Sequence, residues 1–435
     1  MTSPLFDPIF GASAVSAEAS DGAWVQALLD VEVALAYACA DAGVVPIAHA
    51  TDIDSAANAL TTDIAELGAA ASAGGNPVIP LVRALRAAAD VPAGSVHRGA
   101  TSQDIMDTAL VLVLRRACAV VLSDAARCIT ASADLARRHR STPMAARTLG
   151  QQALPTTFGA VTAGWAISIH DAASALSDVL TTMPVQFGGA AGTLAALHPD
   201  GPSVSAALAH RLELVDPPAP WHTNRVPLTR VATALGVLAG AASGPALTIT
   251  LLSATETAEV SEAAPGGSSA MPHKQNPVAA ITARAAAARV PGAVSTVLAA
   301  MAHDHQRATG AWHTEWQTVT EILRGTGGAL SRLADSLEGL HVHPETMRRN
   351  LDIIGDALLA ERVTTALAEH TEDARDIVTR ACRAGTPLTA DPAILAHLSA
   401  DTVGALTDPE QYTGHASDFV DSALAYVSTA RERNS

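Results

Sequence analysis

Apolar residues recur at helical spacing through Trp24, Leu28, Val31 and Leu35, and the pattern stops at Gly43. It predicts a helix over Asp21–Ala42. From Ser102 to about Arg140 nothing interrupts the same spacing, which predicts one helix about 58 Å long. Thr101-x-x-Asp104 in front of it has the form of a capping box with Asp in place of Glu, and Ser141-Thr142-Pro143 ends it. Further long helices are predicted over Pro155–Leu180, Asn224–Glu262, Pro277–Ala300 (bent near Pro291-Gly292) and Thr314–Leu337. Shorter helices lie on either side, with breaks at Ser72–Pro80, Gly385-Thr386-Pro387 and Thr407-Asp408-Pro409. No stretch alternates polar and apolar residues, so no sheet is expected. The predicted fold class is all-α.

A chain of 435 residues is too long for one ordinary core. The elements divide it into an N-terminal helical domain (1–101), an elongated central long-helix bundle (102–343) and a small C-terminal helical domain (344–435). Hydrophobic residues make up 49% and aromatic residues 3%, a composition that suits closely packed long helices. The net charge of −16 argues against nucleic acid or an anionic membrane surface as partner. Val231–Ala254 carries no charge over 24 positions, long enough to cross a bilayer. Gly236, Gly240 and Gly244-Pro245 within it favour the centre of a large bundle instead, so no membrane is expected. Cys39, Cys118, Cys128 and Cys382 have no paired spacing, and no signal peptide is evident. They read as buried thiols of a cytoplasmic protein.

The densest chemistry lies in Pro265–Pro277. Lys274 is the only lysine in the chain, between Gly266-Gly267-Ser268-Ser269 and Asn276-Pro277. A lysine is a compact point charge where arginine is a planar fork. Gly266 and Gly267 suggest a hinged loop. Asn276-Pro277 reads as a cap and first helical position, so the amides that follow form an anion site beside Lys274. His303-Asp304-His305 and His341-Val342-His343 lack further ligands at suitable spacing, so no metal is expected.

Gly267-Ser268-Ser269-Ala270-Met271-Pro272-His273-Lys274-Gln275-Asn276-Pro277 resembles the signature loop of the fumarase/aspartase superfamily. His97–Asp104, Arg147–Gly159, Gln186–Leu194 and Trp312–Trp316 resemble its lactone-forming, cycloisomerase branch. The resemblance covers nearly the whole chain and is weakest past about residue 385. It implies a homotetramer whose active sites each take one motif from three subunits, a small polycarboxylate substrate and no cofactor. It makes Ser268 the proton carrier, with Lys274 and Asn276 holding the dianionic aci-carboxylate. Substrate carboxylates fall to His97, Arg98, Thr101, Ser102, Gln103, Thr148, Gln151, Gln152 and Arg225, with Ser269, Met271 and His273 completing the loop's share.

Two departures sharpen the reading. Fumarase and adenylosuccinate lyase resemble each other in a His after the Thr of the second motif and a Glu seven residues after the loop lysine. Here these positions are Leu149 and Ile281. A hydroxide or amine leaving group needs a general acid. A carboxylate, with a reference pKa of about 4, does not. The pair's loss therefore suits a cycloisomerase that adds a carboxymuconate's own carboxylate across its double bond. The other readings are a lyase expelling a good leaving group from a substituted succinate, and an inert scaffold.

Overall fold

Ser20 accepts the amide of Ala23 at 3.2 Å and starts the helix Asp21–Asp41, which stops before Gly43 takes a φ of 72°. The structure, a computed structural model, describes residues 5–10 and 13–434. The long helices are Ser102–Arg138, Phe158–Leu180, Val226–Leu252, Val278–Ala299 and Ala311–Glu338. Four of these five end within two residues of the predicted position. The exception leaves its helix at Leu252 instead of Glu262. The Thr257 and Ala258 amides both bond to Ala254 O there, at 2.9 and 2.7 Å, and Ala258 turns the chain with a φ of 49°. Val260–Glu262 then pairs antiparallel with Leu340–Val342.

That pair and a hairpin of Pro143–Thr148 with Gln151–Thr157 correct the expectation that strands are absent. The hairpin escapes a search for alternation because its register slips between Ala145 and Arg147, leaving Met144 and Ala145 buried in succession. Leu149 and Gly150, at φ 52° and 80°, form a two-residue turn whose twist matches the strands. The next helix consequently begins at Phe158, not Pro155. Gly159 donates to the His139 carbonyl at 2.9 Å. A Cβ at Gly159 would stand 2.6 Å from that oxygen, so only glycine allows the helix to start there. Strands remain a minor element, and the fold class is all-α.

The chain divides into two compact units. One comprises the residues up to Asp124, Ala172–Ser243 and Ala283–Ser331; the other comprises Ala125–Asp171, Gly244–Thr282 and the residues from Arg332 onward. The division falls inside each of the five long helices. In the first unit Leu110, Leu114, Val231, Leu235, Ile322 and Leu330 are among the fully buried side chains. Gly325 admits Val290, whose Cγ2 would lie 2.7 Å from an added Cβ. The second unit holds a small core of Val363, Leu367, Val378, Leu388, Ile394 and Val403 near the C-terminus.

Asp21–Asp41 and Val226–Leu252 are long and apolar enough to cross a membrane by length and composition. Val231, Leu235, Leu238, Ala242 and Ile249 of the second are fully buried within the protein, as in a bundle helix. No disulfide links the four cysteines. Burial pushes the Cys118 thiol up to about 12 and the Cys39 thiol up to about 11, which keeps both protonated.

Candidate active site

The loop 265–277 belongs to the second unit and is closed at its base by an antiparallel bridge. Gly266 donates to Asn276 O at 2.9 Å, and Asn276 donates back to Gly266 O at 3.0 Å. Gly266 is needed for this approach, since a Cβ there would lie 2.2 Å from Val278 Cγ2. Beyond the bridge the chain is largely exposed, including Ser269, Met271, His273 and Lys274. Ser268 Oγ accepts the amides of Ala270 at 3.3 Å and Met271 at 3.1 Å. Two donors on one hydroxyl oxygen are what an alkoxide needs, and they lower the cost of using serine as a base. The Lys274 ammonium has no partner among the described residues.

Two expectations about this loop are corrected. Asn276 does not cap the following helix. Its Nδ2 donates to Gly266 O at 3.0 Å and to Gly267 O at 3.5 Å, so it holds the loop shut. The helix amides are not an open anion site either. Buried Glu262 accepts from Ala279 N at 3.1 Å and Ala280 N at 2.9 Å, and from Ser336 Oγ at 2.7 Å. A carboxylate upstream in sequence has already taken the helix N-terminus.

Thr148, Leu149, Gly150 and Gln151 form the exposed tip of the hairpin in the same unit. Its base is rigid. Arg147 grips the fully buried Glu259 through two bonds of 3.0 and 2.6 Å, and Asn350 Nδ2 donates to Glu259 at 2.8 Å. Gln152 Nε2 donates to Asn350 O at 3.0 Å, which leaves its buried Oε1 without a partner among the described residues. Leu149 is fully exposed at the tip.

The first unit holds the His97–Gln103 turn. His97, at φ 61°, places Nδ1 2.6 Å from Glu32 Oε1, and Glu32 is buried. Burial lowers the imidazole's pKa, but the Glu32 carboxylate outweighs it and the net shift is upward. This pair's stability is complete below the ordinary histidine value of about 6.5 and is lost as pH rises through the raised one. In Glu32→Gln the His97 titration midpoint should fall, read by NMR; an unmoved midpoint would separate the two groups. Arg98 is exposed, and Thr101 and Ser102 are half-buried.

Gln103 and Arg225 are not available to a substrate. Gln103 is fully buried; its Nε2 donates to Asp107 and to His222 O, and its Oε1 accepts from Arg307. Arg225, also fully buried, spends every N–H inside the chain. It pairs with Asp107 at 2.8 and 3.0 Å and with Glu315 at 2.9 and 2.6 Å, touches His222 O at 3.4 Å, and lies over the Trp221 ring. Two carboxylates neutralise it. Arg307, absent from the sequence reading, is the opposite case. It is half-buried, and its bonds go to neutral acceptors, Gln103 Oε1 at 3.2 Å and Ala190 O at 3.3 Å. Among the described residues no carboxylate pairs with it beside the Ser102 turn, which equips it to hold a carboxylate. The signal in the sequence was an arginine in a short loop ahead of Trp312, with Asp304 tying that loop through Thr309. Among the described residues no group of three or more His, Cys, Asp or Glu side chains is placed to hold a metal.

The Lyase family matches residues 7–292. A 3-carboxy-cis,cis-muconate cycloisomerase of Bradyrhizobium diazoefficiens is 42% identical over 97% of this chain and 98% of its own. A nitrosuccinate lyase of Streptomyces davaonensis is 40% identical over 97% of this chain and 94% of its own. The crystal structure of the 3-carboxy-cis,cis-muconate lactonizing enzyme from Pseudomonas putida superposes with a TM-score of 0.93 at 38% identity, covering 98% of this chain and 99% of that one.

Proposed function

This chain belongs to the Lyase family, within the fumarase/aspartase superfamily, and from that premise we propose that it is a 3-carboxy-cis,cis-muconate cycloisomerase. One substrate carboxylate adds across the conjugated double bond and closes a five-membered lactone. The π electrons move to the carbon beside a second carboxylate, forming a dianionic aci-carboxylate. The Ser268 hydroxyl delivers its proton to that carbon, and the alkoxide left behind rests on the Ala270 and Met271 amides until solvent reprotonates it. Lys274 faces the developing charge. Arg98, Arg307 and the Thr101–Ser102 turn hold the remaining carboxylates, with Thr148, Gln151 and Gln152 closing the other side. Asn276 shapes the loop.

The observation that carries this reading is Leu149. The hairpin tip presents an aliphatic side chain at the position from which a hydratase or amine lyase would protonate its leaving group. A substrate whose own ionised carboxylate is the nucleophile has no use for that proton. We place the active site at the meeting of three subunits of a cytoplasmic homotetramer, each supplying one of the three motifs. Support comes from the Val226–Leu252 helix, where Val237, Gly240, Gly244, Leu247 and Leu251 form an exposed apolar face. Incubation with 3-carboxy-cis,cis-muconate should remove the conjugated-diene absorbance; an unchanged spectrum would defeat the assignment.

The 40% identity with a nitrosuccinate lyase supports a second reading. Nitrite, like a carboxylate, leaves without protonation, so the same acid-free tip suits its elimination from a substituted succinate. Nitrite release with no loss of diene absorbance would select this reading.

A further inference from the structure

Asp104 is buried without any exposure, and four N–H donors from three separate segments converge on its carboxylate. Oδ1 accepts from Gly188 N at 2.9 Å and lies 2.7 Å from His222 Nε2. Oδ2 accepts from Gly189 N and Thr101 N, both at 2.9 Å. The Gly188–Gly189 turn it holds is packed closely on the His97–Gly99 turn. Gly189, at φ 70°, would bring a Cβ to 2.9 Å from Gly99 O. The residue after that turn, Ala190, supplies the carbonyl that orients Arg307. Among the described residues, the groups at this end of the site with no counter-charge (Arg98 and Arg307) or an unbonded hydroxyl (Ser102) all sit on segments tied directly or at one remove to this carboxylate.

We propose that Asp104 is a positioning residue, whose ionised carboxylate sets the spacing between the Ser102 turn and Arg307 and so the fit of the substrate's carboxylates. It touches no reacting atom. Its effect depends on four acceptor sites on two oxygens, which only a carboxylate offers. An asparagine side chain has one oxygen and one NH2 group. Whichever way it turns, two of the four donors meet an N–H.

The inference deepens the proposed function and is tested with the same enzyme. Asp104→Asn should raise KM for 3-carboxy-cis,cis-muconate by about tenfold or more while kcat changes by less than about threefold. A residue that merely supported the fold would lower the melting temperature and the active fraction, hence kcat, at unchanged KM; that outcome overturns the proposal. His222→Phe removes a single donor and should raise KM by less, and the double variant should match Asp104→Asn alone. Effects that add independently would also overturn it. If Asp104→Asn does not fold, His222→Phe carries the test, since it leaves the other three bonds in place. Hydrogen exchange at the Thr101, Gly188 and Gly189 amides reads the clamp without substrate. It should be faster in Asp104→Asn, and equal exchange sinks the inference. Wild-type protein that leaves the muconate untouched would count against the proposed function and not against the clamp.

Discussion

Ser268→Ala is expected to reduce turnover by about a thousandfold, within the range of lost general acid–base groups, while the fold and assembly persist. The physical reason is local. Ser268 Oγ already accepts two amides, from Ala270 and Met271, so the oxygen is prepared for negative charge before any substrate arrives. Alanine leaves those amides in place and takes away only the atom that carries the proton. The loop's closure does not depend on that oxygen, because the Gly266–Asn276 bridge and the Asn276 side chain fasten its base. The measurement is kcat on the muconate beside a sizing experiment and a melting curve. A variant that keeps more than about a tenth of the rate would remove Ser268 from proton transfer, since that loss is far below what a catalytic acid commands.

Lys274→Met should damage binding and rate together. The ammonium opposes charge already on the polyanion and charge that grows as the aci-carboxylate forms, so it acts in both ground and transition states. A charge-assisted contact contributes about 1.5–3 kcal/mol, which places the expected fall in kcat/KM at about ten- to a hundredfold, shared between KM and kcat. Methionine preserves the length of the side chain and removes its charge. Since Lys274 has no partner among the described residues, the substitution leaves no buried group stranded there. Unchanged kinetics in this variant would make the lysine incidental. Lys274→Arg should recover part of the binding and little of the rate, because a planar fork cannot place its charge where a compact ammonium does.

The long helices were legible because their apolar spacing runs unbroken between strong stops, as from Ser102 to the Ser141-Thr142-Pro143 end. The groups of the loop could be named from sequence because they lie on one continuous stretch, as with Ser268 and Lys274, whose roles are those proposed above. What stayed hidden was pairing at a distance. Arg225 was given to a substrate carboxylate by the resemblance of its segment, yet Asp107 and Glu315 close on it from helices more than a hundred residues before and ninety after. Asn276 looked like a cap until Glu262, arriving on a short strand, took the helix amides. The hairpin at Leu149 was missed because its slipped register erased the period that marks a strand. Arg307 is the complement of Arg225. Which of two arginines retains a free charge depends on neighbours that sequence order does not reveal.

The lone lysine on an exposed loop has a practical corollary. Reagents or proteases that seek lysine side chains find a single address in the chain, at the point where the lid would shut. Shielding of that address by added muconate would test, without turnover, the contact proposed for Lys274.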